Sequence, residues 1–301
     1  MSVDRVCLYT TIYPQAKAFL HDWYRSVSRQ TDRDFQLWIG LDAIGIEEVV
    51  DEVGGDLNAT WVCAEPGDTP AQVRQRALVQ IVDHCEGVIL VDSDDILHET
   101  RVAAARADLE RGDLAGCALN LVDQTGEPMC MTMGLPSAAS ADGVLPRHNI
   151  FGLSNSAFRT DLLRRCLPIP QEVILVDWFL ATRAWLCGAR LIFDSTPRMD
   201  YRQHEQNMTQ VRPPFTEVQI ERDTCRVLRH MAIMKEHAGR GFAMERSQLL
   251  VDVARDIKVF YDRIVLRPRM LEAYITSLNL LEPAPVWWAS VAHPSLRGMW
   301  M

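Results

Sequence analysis

The amino-acid sequence predicts an α/β fold, with a mixed, mostly parallel sheet covered by helices on both faces and a helical appendage at the C-terminus. Strand-like and helix-like segments alternate through the first half of the chain, which is typical of a parallel sheet. The run GVILVD at residues 87–92 begins with uninterrupted apolar residues, as in strands that helices cover on both faces. After about Val211 the patterns are helical alone. We therefore expect one domain over residues 1–211 and a helical extension over residues 212–301.

The elements of the first half follow from apolar periodicity and from their flanking residues. In chain order, we expect strands at residues 5–13, 35–42, 59–65 and 87–92, and helices at residues 16–30, 69–85 and 99–112. The helix at 69–85 has the strongest start signal, because Thr69 and Gln72 form a capping-box pattern and Pro70 occupies the first helical position. Gly112 is the expected end of the helix at residues 99–112.

The second half begins with an expected loop at residues 126–151, which is rich in Gly, Pro, Ser and Ala. Such a loop is either a lid that orders over a ligand or a passive surface segment. Further on, we expect helices at residues 161–166, 177–188, 217–237, 246–264 and 268–281, and a strand at residues 190–194. The methionines Met231, Met234 and Met244 fit the apolar core of the late helices.

Composition limits the classes of protein that the chain can represent. Its 301 residues, 48% of them hydrophobic, are enough for a sizeable core, and the net charge of -9 argues against a broad basic surface for nucleic acid. The eight cysteines lack the spacing of a zinc site or a disulfide framework, so we expect small core side chains in a reducing compartment. The first ten residues lack the order of a signal peptide, and no apolar run is long enough to span a bilayer.

A dense acidic group follows the predicted strand at residues 87–92. Asp92, Ser93, Asp94 and Asp95 lie in sequence on an expected turn. Carboxylates this close repel one another, and a divalent cation with oxygen ligands removes that repulsion. Magnesium and manganese prefer one or two carboxylates together with substrate phosphates. The alternative is that these aspartates cap the next helix and favour its positive end.

Two later segments also contain polar residues at the ends of predicted elements. DYRQHEQN at residues 200–207 follows the late strand, and its His204 is either a metal ligand or a loop histidine with no ligand. Asp177 stands at the start of the helix in VILVDWFLATRAWLCGARLIF, where it is either a catalytic carboxylate or an N-cap.

The order of these segments resembles the family-2 glycosyltransferases of the GT-A fold. The resemblance covers roughly residues 6–207. It depends on the opening strand with its threonines, on GLD at the end of the second strand, on VILVDSDD, on DWFLATRAWLCGARLIF and on YRQHEQN. It implies an inverting transfer of a sugar from a nucleotide-diphosphate donor to a hydroxyl acceptor, with Mn²⁺ or Mg²⁺ as the cofactor.

The resemblance also implies roles for individual residues. Asp177 would be the general base, and Asp94 and His204 would hold the metal. Donor-binding residues would be Thr10, Thr11, Asp42, Arg76, Asp92 and Ser93, with Asp42 on the nucleotide base, Asp92 on the ribose and Arg76 preferred over Arg74. The acceptor side would include Ser154, Asn155 and Trp178. Val176 stands where many relatives have Glu, so Glu172 is a reserve candidate for the base.

Other functions remain open at the level of sequence. A phosphatase of the haloacid dehalogenase type also places D-x-D after an apolar strand, and a sugar-phosphate nucleotidyltransferase is a weaker alternative. A GT-A-like domain that binds a glycan or a partner without turnover is the alternative outside enzymes.

The expected setting is the cytoplasm, with the option of a peripheral contact at the inner membrane face. The expected partners are the sugar donor and a glycan or lipid-linked acceptor of cell-surface polysaccharide or glycolipid synthesis, and no nucleic acid. Trp287, Trp288 and Trp300 near the C-terminus either touch a membrane or a partner, or pack the tail onto the core.

Overall fold

The computed structural model describes residues 3–55, 57–137, 139–237 and 244–301. The chain divides into two compact units, the first made of Met1–Gly134 and Phe151–Gln203 and the second of Leu135–Ile150 and His204–Met301. No pattern in the sequence indicates that residues 135–150 group with the C-terminal residues.

The secondary structure follows the predicted alternation. The strands are β1 (Val6–Ile12), β2 (Phe35–Leu41), β3 (Ala59–Cys63), β4 (Gly87–Leu90), β5 (Ile96–Leu97), β6 (Leu114–Val122), β7 (Pro128–Met133), β8 (Ser156–Arg159) and β9 (Leu191–Arg202). The helices are α1 (Leu20–Ser28), α2 (Ile46–Val53), α3 (Pro70–His84), α4 (Arg101–Arg111), α5 (Ala141–Val144), α6 (Thr160–Cys166), α7 (Val176–Leu186), α8 (Glu217–Glu236), α9 (Met244–Phe260) and α10 (Pro268–Leu278). Short 3-10 segments lie at Pro14–Phe19 and Pro294–Met299, and a π-helical turn at Tyr261–Val265.

The first unit contains one sheet with the strand order β3-β2-β1-β4-β8-β6-β9-β5, and β7 pairs with β6. Strands β3, β2, β1 and β4 run parallel, as predicted from the first half of the chain. Strand β8 is antiparallel to both β4 and β6, whereas β6 and β9 are parallel. The mixed α/β class is confirmed.

Helix α3 shows how local sequence determines an element of this unit. The Thr69 hydroxyl accepts a hydrogen bond from the Gln72 backbone N–H at 3.4 Å, and the Gln72 side chain accepts one from the Thr69 N–H at 2.9 Å. These two bonds are the predicted capping box, and they satisfy donors that the first turn leaves unpaired. Val73, Ala77 and Ile81 bury the inner face of the helix.

The segment at residues 126–151 is more ordered than the sequence suggested. It contains strand β7 and helix α5, so the expectation of an irregular loop is wrong for those residues. Alternation in PMCMTM was the available signal for β7, because its side chains alternate in exposure until the buried Met133.

The cysteines also differ from expectation. Cys7 on β1 and Cys85, directly after α3, form a disulfide across a sequence separation of 78 residues. Cys63, Cys130 and Cys225 are exposed rather than buried. Cys7, Cys85, Cys117 and Cys166 are buried, as expected for most of the cysteines, whereas the exposure of Cys63, Cys130 and Cys225 and the disulfide itself were not expected. Spacing along the chain did not reveal the disulfide, because the sheet brings its two halves together.

The second unit is helical. Helix α8 packs on α9 and α10, and the ring of Phe260 contacts the rings of Tyr274 and Trp300 edge to face at 4.9 and 5.9 Å. Trp287, Trp288 and Trp300 are all buried in this unit, so their rings pack the C-terminal tail. Met231 and Met234 are buried as expected, but Met244 is 85% exposed, which corrects its assignment to the core. Among the described residues, no helix combines the length and apolarity needed to cross a membrane.

Candidate functional site

Three polar groups lie at one edge of the sheet because of the parallel pairing. Strand β1 pairs with β2 up to Ile12 opposite Leu41, and with β4 up to Tyr9 opposite Leu90. Thr11, Asp42 and Asp92 therefore stand at the carboxyl ends of three adjacent parallel strands. Ligands of open α/β sheets bind at this edge. Asp42 is half-buried, and its backbone N–H donates to the Ile12 carbonyl at 2.9 Å.

The acidic turn after β4 is the centre of the candidate site. Asp92, Asp94 and Asp95 each offer a carboxylate oxygen, and these oxygens lie within 4.8 Å of one another. Asp94 and Asp95 are buried and Asp92 is half-buried. Hard oxygen donors at this spacing suit Mg²⁺ or Mn²⁺.

The electrostatics of the turn reflect this crowding. Burial, and then the neighbouring charges of Asp94 and, more weakly, Asp177, together raise the pKa of Asp92 to about 7. Burial and the charges of Asp94 and Asp92 hold the pKa of Asp95 well above its usual range. Both shifts have the same cause, since low dielectric and like charge each disfavour ionised carboxylates. A bound cation would reverse that preference.

Ser154 links two of these carboxylates. Its hydroxyl hydrogen-bonds Asp95 and donates to Asp92 Oδ2 at 3.2 Å. The register explains the contact, because Gly87 pairs with Arg159 and Ile89 with Ala157, and the same antiparallel register continued along both strands places Ser154 opposite Asp92. A serine carries only one hydroxyl proton. It therefore serves both oxygens best when one carboxyl keeps a proton, as the raised pKa of Asp95 favours.

Arg202 supports the acidic turn with both its backbone and its side chain. Its backbone N–H donates to Asp95 Oδ1 at 2.7 Å, and its guanidinium Nε donates to the Asp94 carbonyl at 2.9 Å. The same guanidinium donates to the Gln124 carbonyl and to Asp22 Oδ2 at 2.9 and 3.0 Å, and it lies 4.8 Å from the centre of the Phe19 ring. A guanidinium that is 1% exposed needs such a full set of acceptors.

Strand β1 contributes further contacts to the turn. The Tyr13 hydroxyl donates to Asp94 Oδ2 at 3.3 Å, and burial followed by the Asp94 charge raises the pKa of Tyr13. Ser93 is buried, and its hydroxyl donates to the Thr11 carbonyl at 2.9 Å, which ties the turn to β1. The Thr11 hydroxyl pairs with the Tyr9 hydroxyl at 3.0 Å. Thr10 points to the opposite face, because side chains alternate along a strand.

The two arginines of helix α3 differ in their environments. Arg76 is bound by Glu65 at 2.7 Å and by Asp68 at 3.0 Å. Arg74 donates to the Pro70 carbonyl at 3.2 Å, and its charge partly offsets the burial that raises the pKa of Asp92. Arg74 is thus the arginine whose charge reaches the acidic turn, although the sequence favoured Arg76.

Asp177 lies in the first turn of α7, half-buried. Its Oδ1 accepts a hydrogen bond from the Trp178 backbone N–H at 2.7 Å, and its charge acts on Asp92. The structure therefore brings Asp177 into electrostatic range of Asp92, although the two residues are 85 positions apart in the sequence. Glu172, the reserve candidate, is also half-buried.

The expected acceptor-side residues are buried. Trp178 is 0% exposed and packs in the core, and the Asn155 side chain donates to the Cys117 carbonyl at 2.7 Å. Ser154 is bound to the acidic turn, as described above. All three side chains are buried in this structure, and their expected place on the acceptor side stays a prediction.

His204 begins the second part of the other compact unit, directly after Gln203. It is half-buried, its backbone N–H donates to the Asn207 side chain, and its Nδ1 accepts from the Gln206 backbone N–H at 3.3 Å. Its expected role as a metal ligand stays a prediction.

Sequence reasoning gave no role to Arg202 and Tyr13, and it assigned Ser154 to a different partner. Arg202 lies inside the quoted YRQHEQN motif and Tyr13 inside the opening strand, so their proximity to other motif residues was the signal. No sequence pattern specified that their partners would be Asp94 and Asp95.

The fold defines the class of structure to which this site belongs. The chain has the GT-A fold of nucleotide-sugar glycosyltransferases, with the acidic turn at the carboxyl end of β4. No protein-family model and no curated protein matches the sequence.

Particular solved structures show the likeness. TarS 1–349 of S. aureus superposes with a TM-score of 0.62 at 16% identity, covering 92% of this chain and 79% of that one. Its complex with UDP-GlcNAc superposes at 0.56 and 15% identity, covering 90% of each chain. Mannosyltransferase PcManGT of Pyrobaculum calidifontis, in complex with GDP-Man and Mn²⁺, superposes at 0.59 and 16% identity, covering 94% of this chain and 77% of that one. At these identities the likeness establishes the fold, and it gives no support to a dehalogenase-type phosphatase.

Proposed function

We propose that this protein is an inverting, divalent-cation-dependent glycosyltransferase that moves a sugar from a nucleotide diphosphate to a hydroxyl acceptor. The observation that carries the proposal is the acidic turn, with three carboxylate oxygens within 4.8 Å at the carboxyl end of β4 and with Asp177 in electrostatic range. Structures of the same fold that contain UDP-GlcNAc, or GDP-Man with Mn²⁺, support it.

The residues of the turn fit a divalent cation. Burial and mutual repulsion raise the pKa values of Asp92 and Asp95, and these are the conditions that a cation relieves. Asp94 is proposed as the principal ligand, with His204 as a further one. When bound, Mg²⁺ or Mn²⁺ supplies positive charge that stabilises a departing diphosphate.

The donor is proposed to lie across the ends of β1, β2 and β4. Asp42 accepts hydrogen bonds from the nucleotide base, because a carboxylate is an acceptor only. Asp92 binds the ribose, Thr11 lies next to it near the end of β1, and Ser93 holds the turn, whereas the Thr10 side chain points to the opposite face and is the weaker candidate for a donor contact. Arg74 supplies positive charge toward the donor phosphates, since its charge already acts on Asp92, and Arg76 acts through its neighbours Glu65 and Asp68.

Asp177 is proposed as the general base. The acceptor hydroxyl has too high a pKa to attack at neutral pH, and a carboxylate within reach takes its proton as the new bond forms. The Trp178 backbone N–H, which donates to Asp177 Oδ1 at 2.7 Å, orients the carboxylate. A single displacement then inverts the anomeric centre, and the step needs no covalent intermediate.

The setting forms part of the proposal. We place the protein in the cytoplasm, with peripheral contact at the inner membrane face, in the synthesis of a cell-surface polysaccharide or glycolipid. The buried Trp287, Trp288 and Trp300 do not supply that contact, so it would use other residues.

The test measures donor binding and turnover separately. Thermal unfolding with Mn²⁺ and a panel that includes UDP-GlcNAc and GDP-Man should identify a donor that stabilises the protein only with the cation. Asp94→Asn should abolish that shift. Asp177→Asn should keep it and lower the rate of nucleotide release with a panel of glycan acceptors by ~10²-fold or more.

The control is Asp51→Asn, an exposed aspartate of α2, which should behave as the wild type. If no nucleotide sugar stabilises the protein with or without Mn²⁺, the proposed function is wrong. A normal rate for Asp177→Asn excludes Asp177 as the base. If a nucleotide sugar stabilises the wild type but no acceptor in the panel gives turnover, the protein is a non-catalytic binding domain instead.

A further inference from the structure

A second pair of cysteines lies in contact away from the acidic turn. Cys166 is the last residue of α6, and Cys187 directly follows the last residue of α7. The two helices pack on each other, and the two thiols are hydrogen-bonded. Cys166 is 0% exposed, whereas Cys187 is partly exposed and reachable from solvent. One sulfur is therefore accessible and the other is protected behind it.

Two arginines surround the accessible sulfur. The Arg165 guanidinium hydrogen-bonds the Cys187 thiol and donates to the Cys187 carbonyl at 3.0 Å. The Arg183 guanidinium donates to the Arg165 carbonyl at 3.3 Å, which places a second positive charge beside the pair. Arg165 and Cys166 on α6 and Arg183 on α7 are the titratable and charged groups that act on Cys187.

This environment divides the proton between the two sulfurs unequally. The hydrogen bond from Cys166, followed by the charges of Arg165 and Arg183, lowers the pKa of Cys187 to about 6 against the opposing effect of burial. The hydrogen bond to Cys187, together with burial, raises the pKa of Cys166. Cys187 is thus the thiolate at neutral pH, and thiolates are the nucleophiles in thiol–disulfide exchange.

We propose that Cys187 is a site of thiol modification by low-molecular-weight disulfides such as oxidised glutathione, and that Cys166 is its resolving cysteine. The arrangement is an accessible thiolate, a buried partner thiol in hydrogen-bond contact and two adjacent guanidinium groups. This inference does not depend on the proposed function, because neither cysteine lies in the acidic turn.

The chemistry balances in two steps. The Cys187 thiolate attacks one sulfur of glutathione disulfide, so the Cys187–glutathione bond forms and the glutathione S–S bond breaks, releasing one glutathione thiolate. Cys166 then gives its proton to solvent and attacks the Cys187 sulfur. The Cys166–Cys187 bond forms and the second glutathione thiolate leaves. The protein loses two electrons and one glutathione disulfide gains them.

The geometry favours the second step. The Arg165 side chain next to Cys166 donates to the Cys187 carbonyl at 3.0 Å, so the packing of α6 on α7 holds the two cysteines at adjoining helix ends, and a disulfide bond needs such neighbouring positions. The bond would join the C-terminal ends of α6 and α7. It is separate from the disulfide between Cys7 and Cys85, which is already formed.

The proposed reactivity of Cys187 does not follow from exposure alone, so cysteines that are more exposed serve as matched controls. Cys63, Cys130 and Cys225 are all more exposed than Cys187. If accessibility decided modification, these three would react first. The proposal requires Cys187 to react before them.

The experiment treats the full chain with oxidised glutathione at neutral pH and follows intact mass and tryptic peptides. Trypsin separates residues 166–183 from residues 184–190, so a Cys166–Cys187 bond appears as two linked peptides. The wild type should form this linked pair. Cys166→Ser should stop at one glutathione on Cys187, Cys187→Ser should give neither product, and Cys225→Ser should behave as the wild type.

A second measurement covers the case in which a variant does not fold. The pH dependence of iodoacetamide labelling at Cys187 in the wild type should have its midpoint near pH 6, rather than near the ~8.5 of an ordinary thiol. The proposal is overturned if Cys63, Cys130 or Cys225 takes up glutathione before Cys187, or if the labelling midpoint of Cys187 lies near 8.5.

Discussion

The backbone N–H of Arg202 donates to the Asp95 carboxylate at 2.7 Å, and the Arg202 guanidinium holds the Asp94 carbonyl at 2.9 Å. One residue at the end of β9 thus fixes both the side chain and the backbone of the acidic turn. Asp94 and Asp95 are therefore held in place, which would reduce the cost of organising them around the proposed cation.

Arg202→Met tests this support. The change keeps the length of the side chain but removes its hydrogen bonds to Asp94, Gln124 and Asp22, so the free energy of unfolding should fall by about 3 kcal/mol. The affinity for Mn²⁺ should fall at least ~10-fold, since a disordered turn must be reordered on binding. Urea unfolding and Mn²⁺ titration measure the two effects. Arg25→Met, an exposed arginine on α1, is the control, and an equal loss in both variants would contradict the assignment.

The two arginines of α3 give a second prediction. Arg74→Gln should weaken binding of the nucleotide-sugar donor about 10-fold, because it removes a positive charge that reaches the donor edge. Arg76→Gln should change donor affinity little and lower the free energy of unfolding by about 1 kcal/mol, because its bond to Glu65 lies at the surface and its bond to Asp68 is part-buried. Donor titration calorimetry distinguishes them. The reverse order of affinities would restore Arg76 as the donor contact.

Buried histidines of the second unit predict sensitivity to acid. Burial lowers the pKa of His230 to about 3, and burial together with the charges of Arg147 and His293 lowers that of His148 to about 3. The unfolded chain, with histidine pKa values near 6.5, therefore binds more protons than the folded one between about pH 3 and 6.5. Stability should fall as pH decreases through this range, by up to about 2 kcal/mol for each histidine at pH 5 relative to pH 7.

Urea unfolding of the wild type at pH 7 and pH 5 checks that slope. Replacing His148 and His230 by Gln should flatten it, whatever the double substitution does to stability at pH 7. His21→Gln, at an exposed position of α1, should leave the slope unchanged. An unchanged slope in the double variant would show that other groups set the acid sensitivity.

Gly112, between α4 and β6, predicts a packing constraint against the start of β9. A Cβ at this position would contact Ile192 too closely and would lie 2.9 Å from the Arg190 carbonyl oxygen, which belongs to the backbone and cannot move aside easily. Gly112→Ala should therefore lower the free energy of unfolding by about 2 kcal/mol. Gly298→Ala meets no atom within 4 Å and should stay within about 0.5 kcal/mol of the wild type. Chemical denaturation compares the pair, and similar losses would contradict the steric argument.

Local sequence was sufficient to predict the elements whose signals lie close together in the chain. Helix α3 carries its own capping box, and β4 is an apolar run followed at once by its acidic turn. The alternation of segments also predicted the parallel half of the sheet. These features depend on contacts between neighbours in sequence.

The remaining features depend on contacts across long separations. Ser154 meets Asp95 across 59 positions, and Arg202 meets it across 107. Strands β6 and β8 were not predicted. Their formation depends on pairing with distant strands more than on the strand propensity of their own residues. Arg74 could not be separated from Arg76 by pattern, since the acidic neighbours that bind Arg76 are specified only by the fold.

The antiparallel entry of β8 beside β4 has a consequence for engineering and for evolutionary change. Because β4 and β8 run in opposite directions, the residues that lead into β8 lie beside the end of β4. The aspartates of the acidic turn and Ser154, which hydrogen-bonds two of them, thus belong to stretches of chain that can be exchanged separately. A chimera that replaced only the residues leading into β8 would change the pKa values of the acidic turn and leave every carboxylate in place.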